Sequence, residues 1–301
     1  MRIIGVLIAL SSAVGSVIAQ LVFAHVQKKG RISTYMINLF KTVITLLFLV
    51  PYLFLIDPLF SLSSVPAEGW LYLCLSGAMG FVVADMFFFG SFRYINVRIA
   101  MLIFASAPLI VALISFIFYG ERLTLLELIC VFLVIGGIML VLSQNKQGTE
   151  EEKKRRGLGL TFAFIGVLAQ AISNVLGRSC LSYLPEDTGA IWITAIRASV
   201  AFVIYIVMLA IPKNHKDVAH DIKDTRAMGL LLIAAFSGAV IGTITLFECL
   251  RYLPMGIGSA LCSITPVLAL PVALIRKEKL TLLEVLGFFV TMGGIVLYAL
   301  T

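Results

Sequence analysis

Charged side chains are scarce in this chain. Asp, Glu, Lys and Arg together make up 13% of its residues, about half of the roughly 25% typical of soluble domains. Hydrophobic residues make up 60%, and the mean hydropathy is +1.06. A water-facing surface cannot hide so many apolar side chains, so the composition excludes a soluble globular fold and predicts a membrane protein. Apolar runs of about 20 residues without strict alternation favour membrane-spanning helices over a closed barrel.

Residue patterns that carry chemistry inside membranes are missing from the sequence. The chain has three histidines, no H-E-x-x-H motif and no C-x-x-C pair. The five cysteines are Cys74, Cys130, Cys180, Cys249 and Cys262. All five lie in or beside apolar segments, and we interpret them as small hydrophobic residues rather than as disulfides or metal ligands. We therefore predict no enzyme activity, no metal site and no cofactor.

The excess of positive charge does not point to nucleic acid. The formal net charge is +7, and in a soluble protein this value would suggest a nucleic-acid partner. Here the cations lie in the short connections between apolar segments, where membrane topology explains them better. The partners we expect are the lipid bilayer and a small-molecule substrate, and the sequence leaves the oligomeric state open.

Ten segments are long and apolar enough to cross about 30 Å of hydrocarbon. They cover residues 3–24, 34–55, 70–92, 98–118, 124–143, 157–178, 188–211, 228–249, 255–275 and 281–300. The first segment has a counterpart in the sixth, so we expect a retained span rather than a cleaved signal peptide. The fold predicted is an all-α polytopic membrane protein with ten transmembrane helices.

The chain also repeats itself with a shift of 157 to 158 residues. The heptapeptide ERLTLLE, which begins at Glu121, returns as EKLTLLE from Glu278. Arg93-Tyr94 returns as Arg251-Tyr252, and Gly136-Gly137 returns as Gly293-Gly294. We predict two five-helix repeats over 1–143 and 157–301, joined by a charged linker over 144–156. The odd number of spans per repeat predicts that the second copy is inverted relative to the first.

The basic residues give the predicted direction of the spans. Seventeen of them lie in odd-numbered loops, against four at the N-terminus and in even-numbered loops. Positive charge favours the cytoplasmic side, so both termini are predicted to lie outside a cell membrane. The bias also reverses between equivalent loops of the two copies, as inverted repeats require.

Only two basic residues lie inside predicted spans, Lys41 and Arg197, and they occupy equivalent positions in the repeat. A charge at depth costs roughly 2.5–3.5 kcal/mol on the insertion scale, so it usually faces a cavity or a partner. Two such charges at matching positions favour substrate binding or buried pairing over the alternative, snorkelling to the head groups. We predict that both residues bind an anionic or zwitterionic group.

The acidic residues inside spans are Asp85 and Glu248. Unlike the two basic residues, they do not occupy equivalent positions in the repeat. Lys41 and Asp85 lie at similar depth on neighbouring helices, so we predict that they pair and lower each other's burial cost. Arg197 and Glu248 form a second candidate pair, although their predicted depths in the membrane are less similar. Both acids are candidates for proton or sodium coupling, although an ion pair that only tightens packing uses the same residues.

Neutral polar residues complete the predicted cavity. Gln20 and Asn174 are repeat equivalents on spans one and six. Tyr35 and Asn38 lie on span two and Trp192 lies on span seven. Because residues three apart share a helix face, Asn38 is predicted to face the same side as Lys41. The sequences T-x-x-E that begin at Thr124 and Thr281 fit capping boxes and give the glutamates a structural role.

These patterns resemble the drug/metabolite transporter superfamily, and specifically its EamA-type members. The most specific matches are 84–89 (ADMFFF), Arg93-Tyr94-Ile95, 119–123 (YGERL) and Thr265-Pro266-Val267. The resemblance covers essentially the whole chain. It implies ten helices in two inverted repeats around a central cavity, with small metabolites, amino acids or drugs as substrates. Many such proteins have both termini inside, whereas the loop charges here predict both termini outside.

The function predicted from the sequence is secondary transport of a small solute by alternating access. Spans one to four and six to nine are expected to line the cavity, with spans five and ten outside it. The alternative is a non-transporting membrane receptor or a lipid carrier, which duplication alone does not exclude.

Overall fold

The structure, a computed structural model, consists of helices wherever it describes regular structure. It describes residues 2–27, 32–56, 65–119, 124–143, 150–180, 183–184, 188–253, 258, 261–266, 268–269, 272 and 281–300. In chain order the helices are α1 (Arg2–Gln27), α2 (Thr34–Ile56), α3 (Ala67–Gly77), π1 (Ala78–Ala84), α4 (Asp85–Ser91), α5 (Val97–Phe104), α6 (Ala107–Tyr119), α7 (Leu125–Ser143), α8 (Glu150–Ser179), α9 (Gly189–Leu209), α10 (Pro212–Asp221), α11 (Thr225–Ala234), π2 (Ala235–Gly242), α12 (Thr243–Tyr252) and α13 (Leu282–Leu300).

Six helical stretches within the described residues are long and apolar enough to cross a membrane. They are Ile3–Gln27, Thr34–Ile56, Ala67–Ser91, Lys153–Ser179, Gly189–Leu209 and Thr225–Cys249. They correspond to the first, second, third, sixth, seventh and eighth predicted spans. The fifth and tenth predicted spans coincide with α7 and α13, which have 19 residues each. Most of the ninth, 255–275, lies outside the described residues.

Two predicted boundaries differ from the structure. The fourth span, 98–118, is two helices, because α5 ends at Phe104 and α6 begins at Ala107. Pro108 explains the break: it has no N–H to donate to the carbonyl of Phe104, and its ring clashes with that carbonyl in a continuous helix. The predicted linker 144–156 is also partly helical, since α8 begins at Glu150.

Several helix starts are capped by side chains. At the start of α13, the backbone N–H of Glu284 donates to Thr281 Oγ1 at 3.2 Å, and the N–H of Thr281 donates to Glu284 Oε2 at 3.0 Å. This confirms the capping box predicted at residue 281. The matching glutamate, Glu127, has a side chain outside the described part of the chain. Asn96 caps α5 by accepting from the N–H of Arg98 at 3.1 Å.

The helices of one half pack on those of the other. The first helix, α1, packs on π2 and α12, while α8 packs on π1, α3 and α4. Gly5 of α1 lies against residues 252–253, and Gly159 of α8 lies against residues 94–95. These two contacts join equivalent positions in the two copies of the sequence. Each half therefore supplies part of the other's packing, and a central space lies between them.

The helices α7 and α13 pack closely along each other, away from this space. The contact is close because Gly137 and Gly287 have no side chains. A β-carbon added at Gly137 would lie 2.6 Å from the backbone nitrogen of Thr291 and 2.7 Å from the carbonyl oxygen of Gly287. A β-carbon added at the neighbouring Gly136 would have no packing atom within 4 Å.

The adjacent glycines Gly137 and Gly136 provide a matched test of this contact. We expect Gly137→Ala to lower the melting temperature in detergent by roughly 2–10 °C, because overpacking costs about 1–3 kcal/mol and the backbone atoms it meets cannot turn away. Gly136→Ala should leave the melting temperature unchanged or slightly raised. Fluorescence-detected thermal unfolding measures both variants, and equal melting temperatures would show that α7 and α13 do not pack in this way.

Candidate functional site

A cavity of about 170 Å³ lies between the two halves of the bundle. Its walls come from α1, α2, π1, α4, the end of α5, α6, α8, α9, π2 and α12, together with Ala105, Cys262, Ser263 and Thr265. No described residue of α7 or α13 lines it. The walls are rich in aromatic rings, namely Phe23, Phe81, Phe88, Phe89 and Phe104. Charged groups are few among the described lining residues, so each of them has a large influence on what the cavity binds.

Lys41 and Asp85 form an ion pair in the cavity wall, as the sequence predicts. Lys41 Nζ, on α2, contacts Asp85 Oδ2 at the start of α4. The lysine is 5% exposed, and the aspartate side chain is 15% exposed. Lys41 Nζ also lies 4.8 Å from the ring centroid of Phe81 and 5.4 Å from that of Phe89. Such contacts stabilise a desolvated cation by about 0.5–2 kcal/mol each.

Arg197, on α9, is the second cation in the wall and has no carboxylate contact among the described residues. It is 2% exposed, and its Nη2 donates to Ser173 Oγ at 2.7 Å. Its Nε and Nη1 have no hydrogen-bond partner in the described part of the chain. Leaving a buried charged donor unpaired costs more than the 1–3 kcal/mol of a neutral group. The guanidinium lines the cavity and has two buried donor atoms without a partner among the described residues.

The two cations are linked through one aromatic ring. Arg197 Cζ lies 5.2 Å from the ring centroid of Phe81, which also faces Lys41 Nζ at 4.8 Å, and 5.0 Å from that of Phe247. The cations are therefore within about 10 Å of each other, where two unit charges repel by roughly 1.7 kcal/mol at an effective dielectric constant of 20. Asp85 is the single acid among the described residues of the lining, so these residues together carry a formal charge of +1.

The space for the guanidinium is provided by Gly80 of π1. A β-carbon at Gly80 would overlap Arg197 Nη2 and Ser173 Oγ. Ser173 in turn donates to the carbonyl oxygen of Ser76 at 2.7 Å, which ties α8 to α3. The position of Arg197 is thus set by the close approach of three elements, α9, α8 and π1.

Gln20 and Asn174 lie on opposite walls, on α1 and α8. Gln20 Oε1 is buried and has no hydrogen-bond partner among the described residues, so the cavity wall contains an unpaired acceptor. Asn174 Oδ1 accepts from Gln170 Nε2 at 2.8 Å. The cavity therefore offers donors at Arg197 and an acceptor at Gln20 to one ligand.

Four of the predicted site residues do not line the cavity. Tyr35 donates its hydroxyl to the carbonyl oxygen of Tyr205 at 2.5 Å, inside a hydrophobic cluster. Asn38 donates to the carbonyl oxygen of Thr34 at 3.0 Å. Trp192 packs at the edge of two other hydrophobic clusters. These three residues support the site through helix packing and not by direct contact.

Glu248 is the fourth of these residues, and its predicted pairing with Arg197 is absent. Its Oε2 lies 3.4 Å from Nε of Arg251, one helical turn further along α12. Its side chain is 27% exposed. An i, i+3 partner on the same helix is always within reach, whereas Arg197 is committed to Ser173 and two aromatic faces.

Sequence reasoning missed several polar residues of the wall. Ser12 and Ser16 of α1, Gln170 of α8, and Thr243 and Thr265 of the second half all line the cavity. Helical spacing carries a signal for two of them, because Ser16 precedes Gln20 by four residues and Gln170 precedes Asn174 by four. Such pairs share a helix face, so these two positions are recognisable once the Gln20/Asn174 equivalence is known.

The chemistry of this site is that of binding. A buried cation with open donors, an ion pair and an amide acceptor in an aromatic enclosure suit a small ligand that carries negative charge. The described residues contain no group of three or more His, Cys, Asp or Glu side chains that would hold a metal ion.

Comparison with known proteins identifies a family. The EamA-like transporter family matches residues 3–143 and again residues 157–300. A curated relative, the "Uncharacterized transporter YxxF" of Bacillus subtilis (strain 168), is 27% identical over 103 residues, which are 34% of this chain and 32% of that protein. The chain thus matches about a third of that relative's length.

A solved crystal structure, described only as that of a protein, shares the fold. It aligns with 100% of this chain and 98% of its own at 16% identity, with a TM-score of 0.57. The family match covers nearly the whole chain, in two consecutive copies, and the described helices suit a polytopic membrane protein. This chain belongs to the EamA-like transporter family.

Proposed function

We propose that the protein is a secondary transporter that moves a small metabolite, amino acid or drug-like solute by alternating access. One observation carries the proposal: Arg197 is buried in the wall of a central cavity with two unpaired donor atoms and no carboxylate in contact with it among the described residues. The cost of that arrangement is offset when an anionic or zwitterionic ligand binds. A protein that only had to be stable would gain by replacing such a cation with an apolar residue.

The proposal includes two inverted repeats, 1–143 and 157–301. Equivalent residues of the two copies both line the cavity: Phe81 corresponds to Ala239 and Asp85 corresponds to Thr243 in the repeat register. The family match, which divides at the same place, also supports this organisation.

The direction of packing supports the inversion. Along α1, contacts progress from Gly5 with residues 252–253 to Gly15 with Ser237, so α1 runs antiparallel to π2 and α12. Consecutive spans alternate in direction, so the sixth and eighth spans run the same way. The first and sixth spans, which are equivalent in the repeat, then run in opposite directions, as an inverted repeat requires.

We assign roles to the wall residues on this basis. Arg197 binds the anionic group of the substrate, with Gln20 and Asn174 as polar contacts. Lys41 is a second anchor that Asp85 neutralises when no substrate is bound. Asp85 is the coupling carboxylate for protons or sodium, because it is the acid that a ligand anion would displace from Lys41.

Arg197→Met is expected to weaken ligand binding roughly ten- to hundredfold, because a charge-assisted hydrogen bond contributes about 1.5–3 kcal/mol. A screen of carboxylates, phosphate and amino acids for a rise in melting temperature identifies the ligand first. Arg178→Met, at the exposed end of α8, is the matched control and should bind normally.

A second variant tests the same contact from the other side. Gly80→Ala should displace the guanidinium of Arg197 and weaken ligand binding. Gly229→Ala should leave ligand binding unchanged, because a β-carbon at residue 229 would have no packing atom within 4 Å. Unchanged affinity in both Arg197→Met and Gly80→Ala would remove Arg197 from the site.

Flux measurements test the ion pair. In proteoliposomes with and without a pH gradient, we expect Lys41→Met and Asp85→Asn each to abolish substrate-dependent flux, because each leaves an uncompensated group in the wall. The double variant Lys41→Met/Asp85→Asn separates loss of chemistry from loss of folding, since it removes both charges of the ion pair and leaves neither partner alone. Normal flux in both single variants would contradict the assignment, and binding without flux in the wild type would favour a receptor or lipid carrier.

The proposed topology, with ten spans and both termini outside, is tested at the two ends of α8. Lys154 and Arg178 are both exposed and lie near opposite ends of this helix. With a membrane-impermeant maleimide on intact cells, a cysteine at Arg178→Cys should react and one at Lys154→Cys should react only after permeabilisation. The reverse pattern would place the termini inside.

A further inference from the structure

Two of the five cysteines meet at the edge of the cavity. Sγ of Cys249, on α12, lies 3.7 Å from Sγ of Cys262, in the segment that follows. A disulfide has a sulfur–sulfur distance of about 2.05 Å, so the two atoms need to approach by less than 2 Å. Rotation of two short side chains supplies movement of this size. The sequence predicts only small hydrophobic residues at these positions, and the structure brings two thiols into contact.

One of the two thiols is within reach of a solute. Cys262 is partly buried and lines the cavity, whereas Cys249 is fully buried behind it. Cys249 Sγ also donates to the carbonyl oxygen of Leu246 at 3.1 Å, which keeps it on the side of α12 that faces Cys262. An accessible thiol beside a sheltered one is the arrangement of an oxidised and a resolving cysteine.

Packing does not account for this pair of thiols. In the first copy of the repeat the equivalent residues are Ser91 and Phe104. Ser91 Oγ donates to the carbonyl oxygen of Phe88 at 2.6 Å, the same backbone contact that Cys249 makes, so a small polar side chain suffices there. Phe104 stacks on Phe88 at 4.1 Å between ring centroids. The first half thus fills the second position with an aromatic ring, and the second half places a sulfur there.

We propose that Cys249 and Cys262 form a redox-responsive dithiol that closes to a disulfide when a peroxide enters the cavity. The Cys262 sulfur attacks a peroxide oxygen and the O–O bond breaks. One water leaves, and a sulfenic acid remains on Cys262. The Cys249 sulfur then displaces the sulfenic oxygen, which leaves as a second water. Two thiols are oxidised by two electrons, hydrogen peroxide is reduced to two waters, and a thiol reductant reverses the step.

The bridge would join α12 covalently to residues 262–265 of the cavity wall. If the proposed transport holds, oxidation fixes two wall elements to each other and flux falls in the oxidised state. Disulfide formation itself does not depend on transport, so its test is independent of the proposed function.

The test counts thiols in the full-length protein in detergent. After hydrogen peroxide treatment, denaturation and alkylation with N-ethylmaleimide, intact mass should show three alkylated cysteines in place of five, and five again after dithiothreitol. Cys262→Ser should show four alkylated cysteines before treatment and four after it, because Cys249 has lost its partner. Cys249→Ser should show four before treatment and three after it, with one oxygen added at Cys262, because the sulfenic acid has no thiol to resolve it. Peptide mapping should recover Cys249 linked to Cys262.

The exposed Cys74 provides the matched control. Cys74→Ser should still lose two thiols on oxidation, because Cys74 is not part of the pair. Five free thiols after peroxide, a bridge that involves Cys74, or a stable sulfinic acid at Cys262 would each overturn the proposal. If the disulfide forms but flux is equal in oxidised and reduced protein, the redox site is supported and its control of transport is contradicted.

Discussion

The burial of positive charge in an apolar bundle is the constraint on which the rest of the structure depends. Lys41 and Arg197 are 5% and 2% exposed among helices composed mainly of hydrophobic residues. Lys41 is neutralised by Asp85, whereas Arg197 has a serine hydroxyl and two aromatic faces. Dipoles and quadrupoles lower the energy of a cation without removing its charge. The glycine at residue 80 and the shared ring of Phe81 follow from this need, because a buried guanidinium requires both room and polarisable neighbours.

Duplication provides the frame of the site, and departures from it provide the asymmetry. The cations are equivalent in the repeat, and so are Phe89 and Phe247, which lie beside Lys41 and Arg197 respectively. Asp85 corresponds to Thr243, so two cations share one acid. A strictly symmetric site with two acids would be neutral and would have no preference for an anion. With one acid among the described residues of the wall, the site keeps a net positive charge, which suits the anionic ligand proposed above.

Much of this arrangement was accessible from sequence, and the limits have physical causes. The pairing of Lys41 with Asp85 was predictable because both residues lie at a similar depth in the membrane on neighbouring helices. That depth follows from how far each residue lies from the end of its span. The pairing of Arg197 with Glu248 was wrong because Arg251, on the same helix, is a closer partner for the acid. Asn38 shares a side of α2 with Lys41 but does not line the cavity, and its amide donates to the carbonyl oxygen of Thr34 one turn earlier. Competition from such local partners is not visible in a hydropathy pattern.

The two π-helices were also invisible in the sequence, and they decide the geometry of the site. In an α-helix, residues five apart are turned by about 140° from each other. Gly80 and Asp85 are five apart, yet both line the cavity, because a π turn joins the N–H of Asp85 to the carbonyl of Gly80. Gly238 and Thr243 repeat this arrangement in the second half, with the N–H of Thr243 bonded to the carbonyl of Gly238. The π turn therefore brings Gly80, which makes room for Arg197, and Asp85, which pairs with Lys41, onto one face of one helix. Removal of a single residue from that turn would restore α-helical spacing and rotate Asp85 away from Gly80, which separates the acid from one cation or the glycine from the other.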